Sequence, residues 1–488
     1  MNQRIADEGP ATRVPNWALL ALGAAFTALA GSRYNVAVLG WVAAVPFLLY
    51  LRRASGWRAF AAYGLALQVG HFFQILKIVT APLPWFFAAL FSVPSALAAF
   101  ALGVVFEKLR RRLGDGWGLA LFPALEVGFG WLASHYSGMG SWGSPAYTQL
   151  DNLPLLQLTS LFGLSGLTAL LAATSALVAV LLATGQAARW RRTLVVWATV
   201  VVAVHAYGGV RLHLPIEGPM LTVATVTSDV GLGPEGLPSR EALAAANDQL
   251  FARSEALAAQ GAALVVWNEG ATAIYPEDED AFVARGLELS RQTGVDLVIA
   301  YVVPRDGMRR FENKYRWLTP QGEAETYFKH HPVPSEGSIP GTDPLRVIER
   351  PWGKAAGAIC YDYDYPGMGL DHARLGAGLV VLPSSDWAGI DPVHTQMASV
   401  RGIEGGFSVL RSVRDATSGA YDAHGRAHAT ASYAAGERVM LARVPTTQVP
   451  TLYARIGDVV AALAALVLVA AAIAARGPVR AWARLAKA

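Results

Sequence analysis

The sequence predicts a multi-pass α-helical membrane bundle of about eight spans joined to one α/β domain. Three observations carry that fold class. Hydrophobic residues make up 53% of the 488 and charged residues only 16%, too little polar surface to cover a water-soluble chain of this size. The apolar residues are also segregated: lipid-like runs fill most of 1–213 and recur at 456–475, whereas 219–450 has the mixture of an ordinary globular domain. Inside that domain, short β-branched runs alternate with amphipathic helices, the pattern of a layered fold with both sheet faces covered. The expected organisation is therefore a seven-span bundle over 1–213, the globular domain over 219–450, a last span over 456–475 and a basic tail over 476–488.

The spans come first. Crossing a bilayer takes about 20 apolar residues. The runs that approach this length are 15–31, 35–51, 59–79, 82–106, 117–135, 154–183, 193–210 and 456–475. The first reads as a span rather than a cleaved signal peptide, since it lacks a clear small-residue cleavage site and further spans follow at once. Basic residues alternate between the connections. Arg4 and Arg13 precede the first run and Arg33 alone follows it; Arg52, Arg53 and Arg58 come next, then Lys77 alone. Lys108, Arg110, Arg111 and Arg112 follow, then a loop at 136–153 without Lys or Arg, then Arg189, Arg191 and Arg192. Arg476, Arg480, Arg484 and Lys487 close the chain. By the positive-inside rule both termini are expected in the cytoplasm and the globular domain outside. The net charge of +4 is thus spent on topology, and a nucleic-acid partner is not expected. Of the polar residues in the spans, Glu126 is expected to face the bundle interior or water, and His71 to be a satisfied buried histidine.

In the globular domain, strands are predicted at Leu221–Val226, Ala263–Trp267, Leu297–Val303, Ala355–Ile359, Leu379–Leu382 and Ser408–Val413. Helices are predicted at Arg240–Ala259, Ala281–Gln292 and Thr395–Glu404, with turns of a late β-meander over Val413–Arg426. Three residues that carry chemistry fall just past strand ends, where α/β sheets place their sites: Glu269, Lys329 and Cys360. A thiol that attacks a carbonyl needs a base, which a desolvated carboxylate supplies, and a cation where the oxyanion develops. Each residue also has a plainer role open to it. Glu269 can be a helix N-terminal acid, Lys329 a solvated charge, and Cys360, the only cysteine in the chain, a small buried hydrophobe. One cysteine allows no disulfide within the chain and no cysteine-based metal cluster.

Taken together, the order Glu269, Lys329, Cys360 resembles the carbon–nitrogen hydrolase (nitrilase) superfamily, whose fold is an αββα sandwich. Cys360-Tyr361-Asp362-Tyr363-Asp364-Tyr365-Pro366 looks like its nucleophile elbow. Ser384-Ser385-Asp386-Trp387, followed by His394, Gln396, Met397, Arg401 and Glu404, resembles its downstream block. The spans on either side, the stretch Lys329-His330-His331-Pro332-Val333-Pro334 with Glu336, and the loop Gly138–Tyr147 leading into Asp151-Asn152-Leu153-Pro154 resemble its membrane-bound acyltransferase branch. The sequence departs from the family at Asn268, where Pro is usual, at Asp362, where Glu is usual, and at Ser385. Glu336 also follows the lysine one residue early.

The resemblance implies a two-step acyl transfer through a thioester on Cys360, with Glu269 as base and Lys329 at the oxyanion. The implied donor is a membrane phospholipid such as phosphatidylethanolamine. The implied acceptor is the N-terminal diacylglyceryl-cysteine of a lipoprotein, in the inner membrane of a bacterium. Glu336, Asp362 and Tyr361 are expected to support the three catalytic residues. Trp387, Ser335 and Trp142 are expected at the substrate entrance, on loops such as Ser335–Gly341 and Trp387–Pro392 that can act as a lid. A monomer without metal or cofactor is expected. Two other readings stay open: a membrane-tethered amidase or acyltransferase with another amine acceptor, and a non-catalytic scaffold that keeps the fold for binding.

Overall fold

The structure, a computed structural model, describes residues 13–232, 236–306, 309–334 and 336–476. Arg4, Arg480, Arg484, Lys487 and Ser335 lie outside these residues. The chain forms two compact units. A helical unit takes in 142–210 with the described parts of 1–133 and 456–488, and an α/β unit takes in 134–141 and 211–455.

The helical elements before the α/β domain are α1 (Asn16–Leu29), α2 (Val45–Arg53), α3 (Gly56–Leu76), α4 (Phe86–Leu113), α5 (Asp115–Tyr136), α6 (Leu153–Leu156), α7 (Thr159–Thr184) and α8 (Arg191–His213). Among the described residues, six helices are long and apolar enough to cross a membrane: α3, α4, α5, α7, α8 and the late helix Val459–Arg476. The expected spans 15–31 and 35–51 take a different form. Helix α1 has 14 residues. At 1.5 Å per residue it rises about 21 Å, short of the roughly 30 Å hydrocarbon layer. The run 35–51 breaks into a 3₁₀ turn at Ala37–Trp41 and the nine-residue α2. Every residue of α2 from Val45 to Leu51 is buried in the helical core, among Leu19, Tyr63, Leu67, Phe106 and Leu121. An apolar run says that water is absent; it does not say whether lipid or protein replaces it.

Polar residues inside this unit serve its packing. Gln68 Nε2 donates to Ser92 Oγ at 2.7 Å, Gln74 Nε2 donates to the Ala30 carbonyl at 2.6 Å, and His71 Nδ1 lies 3.3 Å from Gln74 Oε1. At the basic end of α4, the buried Glu107 takes both Arg110 and Arg111, while Asp115 takes Arg52 and Arg110. Those bonds tie α2, α4 and α5 together at one end.

The α/β unit contains two six-stranded sheets. In chain order come β1 (Met220–Val226), α9 (Arg240–Ala259), β2 (Leu264–Trp267), α10 (Glu279–Thr293), β3 (Asp296–Asp306), β4 (Arg310–Thr319), β5 (Gly322–Phe328), β6 (Ile348–Arg350) and β7 (Gly353–Gly357). Then follow α11 (Pro366–Leu375), β8 (Leu379–Ser385), α12 (Val393–Gly405), β9 (Ser408–Arg414), β10 (Thr417–Tyr421), β11 (Ala427–Ser432), β12 (Val439–Pro445) and α13 (Leu452–Ile456). The first sheet runs β12-β1-β2-β3-β4-β5 and the second β11-β10-β9-β8-β7-β6. The strands at the centre of each sheet, β1-β2-β3 and β7-β8-β9, are parallel.

Their sequences explain the layering. Side chains alternate across a strand. Val223, Leu264, Val266, Val298 and Ala300 therefore point one way and pack with Ala355, Val380, Leu382 and Leu410 of the second sheet. Ala224, Val226, Val265, Trp267, Leu297 and Ile299 point the other way, onto Leu250 and Phe251 of α9 and Phe282 and Val283 of α10. A strand buried on both faces reads as a continuous apolar run, as Leu264–Trp267 does. The Trp267 indole donates to Ser254 Oγ at 2.9 Å, so its buried polar atom is satisfied. On the second sheet α12 packs against β9 and β10.

Candidate active site

The two sheets bring their strand ends to one place. Glu269 follows β2, and its backbone N–H donates to the Ser384 carbonyl in β8 at 3.3 Å. Its Oε2 accepts from the Ser385 N–H at 3.0 Å, while the Cys360 sulfur sits 3.8 Å from the Ser385 carbonyl oxygen. Carboxylate and thiol thus meet at one residue of the second sheet, Ser385, on its N–H and its carbonyl. Both are buried, Glu269 at 6% exposure and Cys360 at 5%, with Lys329 at 1%.

The first sheet supplies a cage around the lysine. Lys329 leaves β5, its N–H donating to the Asn313 carbonyl at 2.9 Å in β4. Its Nζ donates to Glu269 Oε1 at 2.8 Å and to Glu336 Oε2 at 2.7 Å. Asn313 Nδ2 closes the cage, donating to Glu269 Oε1 at 2.7 Å and Glu336 Oε1 at 3.0 Å. Burial acts to lower the Lys329 pKa, but the Glu269 and Glu336 charges outweigh it and hold the ammonium protonated well above its ordinary range.

The second sheet supplies the thiol. Cys360 opens a short 3₁₀ turn, Cys360–Asp364, and has φ +46°, a left-handed backbone that L-residues rarely adopt. Strain of this kind persists only where surrounding bonds over-determine it. Asp362 provides them: its Oδ2 accepts from the Ile359 N–H at 2.9 Å and the Tyr327 hydroxyl at 2.8 Å, and its Oδ1 from the His331 N–H at 2.6 Å. Asp362 therefore rivets the elbow to the segment that carries Lys329. His331 stacks on Tyr365 with centroids 4.0 Å apart. Tyr361 turns outward, its hydroxyl donating to the Gly138 carbonyl at 2.7 Å, and the Ser141 N–H donates to the Asp364 carbonyl at 2.7 Å. Between them Gly140 has φ +54°, and a Cβ there would lie 2.7 Å from the Asp364 carbonyl oxygen.

Beneath the thiol lies a second charged cluster. Asp386 Oδ1 and Arg411 Nη2 each stand 3.8 Å from the sulfur. Arg411 donates to both oxygens of Asp386 at 2.9 Å and to Thr395 Oγ1 at 2.7 Å. His394 bridges Asp386 through Nδ1 at 2.8 Å and Asp364 through Nε2 at 3.0 Å. Burial disfavours the His394 cation, yet the two carboxylates carry its pKa up to about 9. Burial pushes the Cys360 thiol well above its ordinary value, with Glu269 and then Asp386 adding to it, and Arg411 and Lys329 opposing. At rest the sulfur is a thiol, and a base has work to do on it. Among the described residues Cys360, Asp386 and His394 offer ligand atoms within 4.8 Å of one another. The Arg411 guanidinium already serves as their cation, so no metal ligands are assigned.

Of the expected site residues, Glu269, Lys329, Glu336 and Cys360 converge, with Asp362 and Tyr361 on the elbow. Trp387 follows Asp386 and is half-buried, Trp142 belongs to the helical unit, and Ser335 is outside the described residues. Arg401 and Glu404 pair with each other at 2.9 Å. Sequence reasoning missed Asn313 and Arg411. The signal for Arg411 was a single cation inside the apolar run Val409-Leu410-Arg411-Ser412-Val413. Asn313 gave none, since Phe311-Glu312-Asn313-Lys314 reads as a polar surface stretch.

Two sheets packed face to face, with a cysteine elbow against a Glu–Lys–Glu cage, define a carbon–nitrogen hydrolase domain, and residues 223–455 match the carbon–nitrogen hydrolase family. Residues 23–177 match the apolipoprotein N-acyltransferase N-terminal domain. The chain belongs to the apolipoprotein N-acyltransferase family, the membrane branch of that superfamily. It is 27% identical over 486 residues to an apolipoprotein N-acyltransferase of Geobacter metallireducens, covering 91% of this chain and 92% of that one. It is 24% identical over 459 residues to one of Pseudomonas syringae pv. tomato, covering 84% and 88%. Among solved structures, an amidase from a Nesterenkonia species aligns with TM-score 0.39 and 18% identity, over 50% of this chain and 96% of that one.

Proposed function

We propose that this protein moves a fatty acyl chain from a membrane phospholipid to the α-amino group of a diacylglyceryl-modified N-terminal cysteine on an apolipoprotein. The observation that carries the proposal is the meeting of the Cys360 elbow with the Glu269–Lys329–Glu336 cage, in a chain that matches named apolipoprotein N-acyltransferases along most of its length. Glu269 takes the thiol proton as the sulfur attacks the acyl ester carbonyl. Lys329 and the backbone N–H after Cys360 hold the oxyanion. Collapse expels the lysophospholipid alkoxide, which takes the proton from Glu269, and leaves a thioester. The acceptor amine then attacks the thioester and gives a proton to Glu269. The second collapse forms the amide and expels the thiolate, which recovers that proton. Phosphatidylethanolamine is the proposed donor and the protein acts as a monomer.

The alternation of basic loops supports cytoplasmic termini and an extracytoplasmic catalytic unit in the bacterial inner membrane. The bundle then delivers acyl chains from the outer leaflet, and the loops at 336–341 and 387–392 act as the lid. Complementation of a strain depleted of its own apolipoprotein N-acyltransferase tests the acceptor, with lipoprotein N-termini read by mass spectrometry. Triacylated termini are expected; diacylated termini alone would overturn the reading. A palmitoyl thioester on Cys360, trapped in membranes without acceptor, is expected on the same grounds.

A further inference from the structure

We propose that Arg411 is a second catalytic cation, which holds negative charge on the Cys360 sulfur while Lys329 is committed to carboxylates. The proposal rests on Cys360 being the nucleophile. It starts from how the cations are shared. Lys329 Nζ already has Glu269 and Glu336 within 2.8 Å, so much of its charge is answered before the sulfur ionises. Arg411 answers one carboxylate, Asp386, where Lys329 answers two. Its Nη1 donates to Asp386 and Thr395, while its Nη2 donates to Asp386 Oδ1, lies 2.9 Å from His394 Nδ1 and faces the sulfur at 3.8 Å. These bonds fix the plane of the guanidinium, and β9 pairing on both sides fixes its backbone, Leu382 opposite on one side and Gly419 on the other. The side chain is buried at 1% exposure, so its charge reaches the sulfur through protein rather than water. Unlike lysine, a guanidinium keeps its proton under all working conditions and cannot compete for the one that Glu269 removes.

The groups facing the sulfur now divide cleanly. Glu269 and Lys329 come from the first sheet, Asp386 and Arg411 from β8 and β9, with His394 and Asp364 behind them. In the first step the thiol proton passes to Glu269, the S–C bond forms and the negative charge leaves sulfur for the carbonyl oxygen. In the second step the charge returns to sulfur as the amine expels the thiolate. Arg411 gives up no proton in either step. It stabilises the nucleophile as it forms and the leaving group as it departs.

Cys360 is the only cysteine in the chain, so alkylation by iodoacetamide reads this sulfur alone and needs no acyl transfer. The measurement is alkylation rate against pH for the full-length protein in detergent, comparing wild type with Arg411→Gln, Arg411→Lys and Asp386→Asn. Arg411→Gln is expected to move the midpoint up by about 1–3 units, so that alkylation at a fixed lower pH slows roughly ten- to thousand-fold. Arg411→Lys should fall between it and wild type. Asp386→Asn removes a carboxylate 3.8 Å from the sulfur as well as the acid that answers Arg411, and should move the midpoint down. A site that was merely loosened would shift both variants the same way, and that result, or an unchanged midpoint in Arg411→Gln, overturns the proposal. Should Arg411→Gln fail to fold, Arg411→Lys decides: a midpoint raised above wild type supports the proposal and an unchanged or lowered one overturns it. Normal titration shifts beside a failed complementation would sink the acyl-transfer reading and leave this one standing.

Discussion

The two halves of the site treat charge in opposite ways. On the first sheet one lysine is set between two carboxylates, with Asn313 binding both acids, so an excess negative charge surrounds a single ammonium. On the second sheet Arg411 and His394 are matched by Asp386 and Asp364, each cation touching an acid. The first arrangement leaves two acids to share one ammonium. The second is built from bonds that answer each other and gives the thiol a stable floor. The difference shows two ways of burying charge around one thiol: acids in excess of their cation on one side, acids and cations matched on the other.

That contrast can be broken most severely at Lys329. Lys329→Met leaves two buried acids without their cation and should cost about 3–5 kcal/mol of stability, besides abolishing activity. Thermal unfolding in detergent reads this, and a melting point within a degree or two of wild type would show that the cage does not depend on its cation. Glu269→Gln comes next. It keeps the shape but removes the base, so kcat should fall roughly 10²- to 10⁴-fold with the fold retained; a loss under ten-fold would move the base elsewhere. Asn313→Ala sharpens the picture, because it removes only the donor shared by both acids. A charge-assisted hydrogen bond of this kind is worth about 1.5–3 kcal/mol, and unfolding measurements should find a loss of that order with Lys329 intact. The smallest effect belongs to the second sheet. His394 has a folded pKa near 9, above the ordinary 6.5. Its contribution to stability is therefore complete below pH 6.5 and drains away as pH rises through 9. His394→Asn should flatten the fall in melting temperature over that window, and an unchanged slope would remove His394 from the account.

Much of this was legible in the sequence, for identifiable reasons. Leu264–Trp267 and Leu297–Val303 are apolar on both faces because helices and the second sheet both cover them, so their runs stand out. Helix α9 lies at Arg240–Ala259 as expected, where Ser239 caps its first turn through the Ala242 N–H. The hairpin β4–β5 escaped notice because Arg310–Phe328 is crowded with Arg, Glu and Lys, and such residues mask the alternation of a strand. Cys360 itself lies three residues beyond β7 because the strand gives way early to the elbow. The Glu–Lys–Cys order was visible because Glu269 and Cys360 follow apolar strand runs and Lys329 opens the stretch through Pro334 that resembles the membrane branch. Asn313 and Arg411 were not, since each sits within a strand and gains its meaning only from a partner on another element. Apolar length alone likewise could not tell the buried α2 from a membrane span.

The bond from the Tyr361 hydroxyl to the Gly138 carbonyl joins residues 223 positions apart. A ribosome adding about 5–20 residues per second would leave the 134–141 loop waiting on the order of 10–45 seconds for its partner. Throughout that interval Gly140 and Ser141 have no elbow to hold, and β1 waits about as long for β12, its antiparallel neighbour. The Cys360 elbow therefore reaches its final geometry only after a piece of chain made long before is gathered in. A fragment beginning at residue 219 would be synthesised faster, but it would lack the loop to which its own elbow is fastened.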